Sequence, residues 1–317
     1  MQDKRKEEEE NPHGSEHDTM EVFAEKFFEE HEQMSGTLSM SLTRKKKGKL
    51  TSAEMLLYTK NPIPTSMLKI NMPDDPRREK MITVSVEIFR ELLKIIDPNL
   101  KKEENASLMI QNVVKLGIGV PELRDEIFVQ LVRQSNENPK ENKNWDQIAP
   151  KAWQMLNICL ASFPPSKVLA RYLRNYLKKH IIDESKAPTT PDAPSSPSAE
   201  FDREALKKQI SAIAKNCEEA FKQSVLNGPR KLPPSALEID AMKSGRPIIC
   251  RFYFLDNTVK AIGVSSWTTA NQAVKDLAKR IDLPDTTGWA LYEVTPDRGM
   301  QRRGGKKLFF EKFGCLN

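Results

Sequence analysis

The sequence contains few of the residues on which metal sites, disulfide frameworks and nucleotide sites depend. Its 317 residues include only four cysteines and four histidines, which are scattered without a C-x-x-C pair or any other metal-ligand spacing. The phosphate-binding pattern G-x-x-x-x-G-K-[ST] is also missing, which argues against a P-loop nucleotide site. We therefore expect no catalytic residue, no cofactor and no metal site, and we predict a binding protein rather than an enzyme.

The sequence also has no long apolar run. No stretch approaches the ~20 apolar residues that a membrane-spanning helix requires, and the first residues, MQDKRKEEEENPHGSEHD, lack the hydrophobic core of a signal peptide. Isolated cysteines among apolar neighbours are typical of a reducing compartment. Together these features predict a cytoplasmic protein.

Charge is unevenly distributed along the chain. The sequence holds 50 Lys and Arg against 44 Asp and Glu, a formal net charge of +6. Residues 1–34 contain 12 acids and 4 bases, which leaves a net charge of +14 on the remaining residues. A basic body favours acidic partners, such as nucleic acid, an acidic membrane surface or an acidic protein lattice like tubulin.

Most of the chain repeats apolar residues at helical spacing. Residues 1–18 are mostly charged and polar, and we expect a disordered acidic tail there. Helical patterns then run over 19–245, which we interpret as one α-helical domain. They are interrupted by SKAPTTPDAPSSPSAE at 185–200, a segment rich in proline that is predicted to be a disordered loop.

Three finer predictions concern the ends and faces of these helices. Asp202 is expected to cap a long helix over 201–228. Leu108, Val113 and Leu116 are expected to face the core from the helix at 104–119. Asp125 and Glu126 open another helix, and we interpret both carboxylates as partners of the helix dipole.

After residue 245 the period of the apolar pattern changes from that of helices to that of strands. The elements predicted are a hairpin around Asp256-Asn257, a helix at 268–281, and strands at 289–294 and 306–313. This order is that of a small ubiquitin-like β-grasp module over 246–313. The predicted fold class is therefore mainly α with a small α+β module, an α-helical bundle followed by a β-grasp.

A run of basic residues precedes the first predicted helix of the body and raises the question of a binding site. The sequence around it lacks a recognition helix, a zinc module and interleaved aromatic residues, so no specific nucleic acid is expected as a partner. The sequence leaves three interpretations of the run open: a solvated loop, a binding site for another polyanion and a nuclear localisation signal. The run comprises Arg44, Lys45, Lys46, Lys47 and Lys49, and further cations that would extend it into a patch are Lys60, Lys69, Arg77 and Arg78.

Several segments, taken together and in order, resemble a known tail module. The chain is similar, over about residues 40 to 313, to the myosin tail homology 4 (MyTH4) domain joined to the first lobe of a FERM domain. The segments that carry the resemblance are MLLYTKNPIPTSMLKI (55–70), PELRDEIFVQLVRQSNENP (121–139), KAWQMLNICLASFPPSKVLARYLRNYL (151–177), NGPRKLPPSALEIDAMKSGRPI (227–248) and FLDNTVKAIGVSSWTTANQAVKDLA (254–278).

The resemblance implies a non-catalytic binding module of a motor-protein tail, associated with the cytoskeleton. In this family, which includes unconventional myosins and kinesins, the helical domain is known for binding microtubules through basic residues, and the FERM unit holds cargo peptides. The family is expected to have a basic surface at the corresponding position, where this sequence has Lys45, Lys46, Lys47 and Lys49. A full FERM domain has two further lobes that this sequence lacks, so we expect a shortened member of the family.

An alternative function belongs to a different class. Ubiquitin-like lobes sometimes bind a small GTPase or an acidic lipid surface, which would make this chain a signalling adaptor. Arg246, Arg251 and Lys260, on or beside the first predicted hairpin, give that alternative its basis.

Overall fold

A computed structural model describes residues 17–29, 50–70, 75–100, 105–141, 143–182, 197–254, 256–294 and 307–312. The chain divides into two compact units, Met1–Ser235 and Ala236–Asn317. The first is helical and the second contains the strands of the described chain, as the change of period predicts. The predicted mainly α fold with a small α+β module is confirmed.

The first unit contains eight α-helices within the described residues. A single 3-10 turn, Pro121–Leu123, precedes the fifth of them. In chain order the helices are α1 (Met20–Phe27), α2 (Ser52–Met55), α3 (Arg77–Ile96), α4 (Ala106–Gly119), α5 (Arg124–Ser135), α6 (Trp145–Leu160), α7 (Lys167–Lys179) and α8 (Pro197–Asn227).

Helix α6 lies at the centre of the first unit, because it contacts α3, α4, α5 and α8. Its sequence is apolar on most sides, and its Trp153 is fully buried. A helix without a polar face is stable only when neighbours cover it on all sides. Burying one large apolar side chain contributes roughly 1.5–3 kcal/mol relative to leaving it exposed.

The apolar face of α4 differs from the predicted one. Leu108 is 52% exposed, so the prediction that it faces the core is wrong. Val113 is buried as predicted, and Leu116 is half-buried. The buried stripe is Ile110, Val113, Val114 and Gly117, which share one face at helical spacing. Apolar residues lie on several sides of this helix, so its periodicity alone does not decide which of them the neighbouring helices cover.

Helix α8 begins earlier than predicted. It starts at Pro197, inside the segment predicted to be a loop, and Asp202 is therefore an internal, exposed residue and not the cap. Proline is well accommodated in the first turn of a helix, where its missing N–H has no partner to lose. The rest of the predicted loop, residues 185–196, lies outside the described residues.

The predicted acidic tail also lies outside the described residues, except for His17 and Asp18. Asp18 is held in place: its carbonyl oxygen accepts a hydrogen bond from Asn175 Nδ2 at 3.1 Å. Its carboxylate lies 3.7 Å from Arg171 Nε. The contacts of the first unit thus include Asp18, which lies within the predicted tail.

The two acids at the start of α5 have a larger role than the helix dipole alone. The Glu126 carboxylate is buried and accepts hydrogen bonds from the backbone N–H groups of Met67 and Leu68, both at 2.8 Å. Asp125 accepts one from the backbone N–H of Ser166 at 2.8 Å. Burial raises the pKa of both carboxyls, and these donors act in the opposite direction. Both side chains therefore tie α5 to distant segments.

The second unit contains two helices and four strands: α9 (Ala236–Ser244), β1 (Ile248–Tyr253), β2 (Val259–Val264), α10 (Ala270–Arg280), β3 (Trp289–Val294) and β4 (Lys307–Lys312). The strands form one mixed sheet in the order β2-β1-β4-β3; β1 pairs antiparallel with β2 and parallel with β4, and β3 pairs antiparallel with β4. Helix α10 contacts β2 and β3, and its Leu277 is fully buried with Phe252 of the sheet.

The hairpin between β1 and β2 forms at the predicted turn. Asn257 adopts a left-handed backbone conformation with φ of 64°, which asparagine tolerates better than most residues. The carboxylate of Asp256 accepts a hydrogen bond from the backbone N–H of Thr258 at 2.9 Å. This local turn chemistry explains why the hairpin can be located from sequence.

Candidate functional site

A groove rimmed by lysines lies on the first unit, where α3 ends and α6 begins. Its volume is about 510 Å³. We call it the lysine groove; its charged lining residues are Lys60, Lys94, Lys140, Lys143, Asp97 and Glu141.

Two loops that are far apart in sequence meet at this groove. The loop after α2 is tied to the loop after α5 through Asn138, whose Nδ2 donates to the Tyr58 carbonyl at 2.8 Å. The backbone N–H of Lys60 donates to Glu141 Oε2 at 3.0 Å. The Tyr58 ring packs on Trp145, with the ring centroids 5.5 Å apart. These contacts place lysines from both loops around one space.

The start of α6 adds a further positive field to the groove. Asn144, which lines the groove, has a left-handed φ of 61° and provides no side-chain cap for the helix. The first N–H groups of a helix carry partial positive charge and favour anions nearby. Asp146 in the first turn of α6 offsets part of this field.

The lysines of the groove differ in how they are paired. Lys94 Nζ lies 2.8 Å from Glu91 Oε1. Among the residues that the structure describes, the ammonium groups of Lys60, Lys140 and Lys143 form no ion pair. Four cations face two acids in the lining, so the groove has an excess of positive charge and suits an acidic ligand.

The structure divides the predicted basic patch into two places. Lys60 lines the lysine groove, whereas Lys69, Arg77 and Arg78 lie around the start of α3, where Arg78 Nε donates to the Ile70 carbonyl at 3.4 Å. With a rise of about 1.5 Å per residue, Arg77 lies roughly 25 Å along α3 from Lys94. The run Arg44, Lys45, Lys46, Lys47 and Lys49 lies outside the described residues.

The arginines at the start of α3 have acidic partners of their own. Arg77 binds the Asp75 carboxylate through Nε and Nη2, at distances between 2.6 and 3.0 Å. This pairing holds the pKa of Asp75 below its ordinary value. Arg78 Nη1 lies 3.5 Å from Glu79. Both arginines are therefore partly neutralised, and they are less available to a partner than the lysines of the groove.

Lys94, Lys140 and Lys143 were not predicted as site residues. The only sequence signal for the last two is the short polar stretch NPKENKN at 138–144, which is typical of any surface loop. Because the packing of Tyr58 on Trp145 is tertiary, no local pattern could have joined these lysines to Lys60.

A smaller cleft adjoins the lysine groove and shares Tyr58, Lys140 and Glu141 with it. Its volume is about 200 Å³. We call it the proline cleft; the lining residues that it does not share with the groove are Leu50, Glu54, Leu57, Thr59, Asn61, Pro62, Ile63, Pro64, Arg133 and Asn138. The NPIP turn thus forms one wall of the cleft.

The cations of the β1–β2 hairpin do not form one patch. Arg246, Arg251 and Lys260 are all exposed. Arg251 pairs across the hairpin with Ala261, and Lys260 pairs with Phe252. Since successive residues of a strand point to opposite faces, Arg251 and Lys260 lie on opposite faces of the sheet.

In the part of the chain that the structure describes, no group of three or more His, Cys, Asp or Glu side chains is placed to hold a metal ion. No helix among the described residues has the length and apolar character needed to cross a membrane.

Two family profiles match the chain, one in each part. The profile of the MyTH4 domain matches residues 110–241. The profile of the RA like domain matches residues 246–309. The fold and both matches define a class of protein, a helical MyTH4 domain followed by a ubiquitin-like lobe.

Comparison with known proteins leads to the same family. A kinesin-like protein of Arabidopsis thaliana, KIN-14E, is 30% identical over 251 residues, which are 77% of this chain and 17% of that protein. The MyTH4-FERM MF1 domain of Dictyostelium discoideum myosin VII matches with a TM-score of 0.66 and 22% identity, covering 93% of this chain and 55% of that one. The chain belongs to the MyTH4-FERM family of unconventional myosins and kinesins, which confirms the resemblance seen in the sequence.

A third match has a bound protein in its structure. The human myosin 7b C-terminal MyTH4-FERM domain, solved in complex with the harmonin-a PDZ3 domain, matches with a TM-score of 0.62 and 19% identity. The match covers 96% of this chain and 58% of that one. The chain thus spans a little over half of these solved tail modules and about a sixth of the kinesin relative.

Proposed function

We propose that this chain is a non-catalytic cytoskeletal binding module that attaches to microtubules through the lysine groove. The observation that carries the proposal is the groove itself, in which lysines from three separate segments surround about 510 Å³ beside the uncapped start of α6. The acidic tails of tubulin have the complementary charge. This function implies a cytoplasmic protein associated with the cytoskeleton.

The unpaired lysines support this proposal over a purely solvated surface. The ammonium groups of Lys60, Lys140 and Lys143 form no ion pair within the described chain, so binding an acidic segment does not require breaking an existing one. The basic run at 44–49 ends one residue before Leu50, which lines the adjoining proline cleft. The run is therefore adjacent in sequence to this surface, and we propose that it extends the surface.

Co-sedimentation with microtubules tests the proposal. We expect the full chain to pellet with microtubules at low salt and to be released as salt approaches about 0.15 M, where exposed charges are screened beyond ~8 Å. Replacing Lys60, Lys140 and Lys143 by Gln should weaken binding roughly tenfold, because each exposed charge pair contributes about 0.2–1 kcal/mol.

A matched control uses the other end of α3. The double substitution of Arg77 and Arg78 by Gln removes similar charge about 25 Å away along the helix and should leave pelleting nearly unchanged. A further variant that neutralises Lys45, Lys46, Lys47 and Lys49 tests whether the basic run contributes. Failure of the unsubstituted chain to pellet at low salt would contradict the proposal.

Cargo peptides are a second class of partner that we infer for the same module. The support is the myosin 7b structure, in which the related module is bound to a PDZ domain of harmonin-a. Pull-down with the full chain would identify a peptide partner. Competition between that peptide and microtubules would then distinguish peptide binding from microtubule binding.

An adaptor function for the second unit is the alternative candidate. It is supported by the match to the RA like domain and by the position of β2 at an edge of the described sheet, where a partner strand could pair. The separation of Arg251 from Lys260 on opposite faces weakens the argument from a shared basic patch. Pull-down with GTP-loaded small GTPases and flotation with acidic liposomes test this alternative.

We also propose domain boundaries at 19–245 for the MyTH4 domain and 246–313 for the ubiquitin-like lobe. The two profile matches end at 241 and begin at 246, in support of that division. The compact units divide slightly earlier, between Ser235 and Ala236, because α9 contacts β1.

A further inference from the structure

Arg133 is a nearly buried cation in the wall of the proline cleft. It lies on α5 with only 7% of its surface exposed. Its Nε donates to the Leu57 carbonyl at 3.2 Å, and its guanidinium carbon lies 5.9 Å from the centroid of the Phe89 ring. One hydrogen bond and one ring contact therefore hold the side chain in place.

Most of the hydrogen-bonding capacity of Arg133 is unused. A guanidinium has five N–H donors, and in the described chain only the one on Nε has a protein acceptor. The described residues also provide no carboxylate in ion-pair contact with it. Burial lowers the pKa of Arg133 to about 10, and the more distant charge of Glu141 offsets that effect in part. A buried charge without a paired acid is costly, so the site favours an external anion.

The acids of the proline cleft are already engaged elsewhere. Glu54 accepts hydrogen bonds from the backbone N–H and the hydroxyl of Thr51, both at 3.0 Å, within a capping box. Glu141 accepts from the backbone N–H of Lys60. Neither carboxylate hydrogen-bonds to Arg133, and the terminal nitrogens of its fork remain available to a ligand.

We propose that Arg133 is the anchor of a carboxylate-binding socket in the proline cleft, which takes a glutamate or aspartate side chain from an extended acidic peptide. The planar fork of an arginine matches the two oxygens of a carboxylate. Leu57, Ile63 and the two prolines of the NPIP turn provide apolar walls for the methylene groups of that side chain. Because two acids also line the cleft, a singly charged carboxylate suits it better than a doubly charged phosphate.

This socket rests on the proposed function and sharpens it. The lysines of the groove attract an acidic segment from a distance, without selecting any one position along it. Arg133, desolvated and fixed, would hold one carboxylate at a defined place. Binding should therefore include a component that resists salt, since buried pairs are screened much less than exposed ones.

Fluorescence anisotropy with a short labelled peptide of alternating glutamate and glycine tests the socket in the full chain at about 0.15 M salt. The glutamine counterpart of the peptide serves as the uncharged reference. Arg133→Lys keeps the charge and removes the fork, and we expect it to weaken binding of the glutamate peptide roughly tenfold. Arg90→Lys, an exposed change on α3, is the matched control and should leave binding unchanged.

A second variant tests the socket independently of any folding defect in Arg133→Lys. Pro64 is exposed on the wall of the cleft, so Pro64→Glu should fold normally and place a competing carboxylate in the cleft that Arg133 lines. It should also weaken peptide binding. Wild-type affinity in both Arg133→Lys and Pro64→Glu would overturn the socket, as would tighter binding of a phosphoserine peptide than of the glutamate peptide.

Microtubule pelleting of the same variants separates the socket from the proposed function. If the wild-type chain fails to pellet but Arg133→Lys still loses the glutamate peptide, the socket stands and microtubule attachment falls. If the chain pellets and Arg133→Lys binds the peptide like wild type, the socket falls and microtubule attachment stands.

Discussion

At the scale of single residues, Gly117 shows how closely the helical unit is packed. A Cβ placed on Gly117 would lie 2.2 Å from Cζ of Phe163, far inside normal contact. The Phe163 ring is fully buried and packs on Phe128, with the ring centroids 5.3 Å apart. It therefore has little room to move away.

We predict that Gly117→Ala lowers the free energy of unfolding by about 1–3 kcal/mol, the usual cost of overpacking a core. The gain in helix propensity, about 1 kcal/mol, offsets part of a larger steric cost. Urea denaturation monitored by circular dichroism measures the change. Gly119→Ala in the same helix, where nothing lies within 4 Å of the new Cβ, should change stability little. Equal stability of the two variants would contradict this account of the packing.

At the scale of secondary-structure elements, the end of α7 is held by an aromatic cluster that contains a titratable ring. Trp153 of α6 stacks on Tyr176 with the rings 5.5 Å apart and nearly parallel. The His180 ring lies 4.8 Å from Trp153 and 4.6 Å from Tyr176. The cluster joins the central helix to the end of its neighbour.

Burial in this cluster lowers the pKa of His180 below its ordinary value of 6.5, and the charge of Lys179 acts in the same direction. As the pH falls, the unfolded chain takes up the proton before the folded one does. The stability that neutral His180 contributes is therefore present above about pH 6.5 and is lost as the pH falls further.

We predict that the free energy of unfolding falls between about pH 7.5 and pH 5.5, and that His180→Gln removes part of that fall. Urea titrations of both proteins at the two pH values give the comparison. The two proteins should differ in how much the free energy of unfolding changes with pH, and this difference separates the contribution of His180 from that of carboxylates that titrate at lower pH. The same pH dependence in both proteins would show that the ring does not contribute.

At the scale of the whole molecule, each compact unit has a core of its own. Leu173 is fully buried in the first unit and Leu277 in the second. Both belong to helices whose apolar faces are covered within their own unit, by α1 and α8 in one case and by the sheet in the other. Each unit therefore has the apolar burial of an independent folding unit.

We predict that Leu277→Ala and Leu173→Ala, each costing about 2–5 kcal/mol, raise hydrogen exchange mainly in the unit that carries the change. Mass spectrometry of native-state exchange measures the effect peptide by peptide, and each variant serves as the control for the other. An increase of similar size in both units from either substitution would show that they unfold together.

Much of the fold could be predicted from the sequence because its determinants are local. The capping serine Ser166, whose hydroxyl accepts the backbone N–H of Leu169 at 3.2 Å, and the Asp256-Asn257 turn act over a few residues. Apolar periodicity located most helices in the same way. The predictions failed where partners were distant, as for Leu108, or where a helix extended into a polar segment, as at the start of α8.

By itself, the sequence determined the mainly helical class, the β-grasp module and the family, since period, turn chemistry and characteristic segments are properties of short stretches. Only the tertiary structure decided which cations act together. It brought Lys60 to Lys94, Lys140 and Lys143, left Arg77 and Arg78 paired at the far end of α3, and placed Arg133 in the wall of a cleft. The physical reason is that charges cooperate through space, and their distances are set by how loops and helices pack.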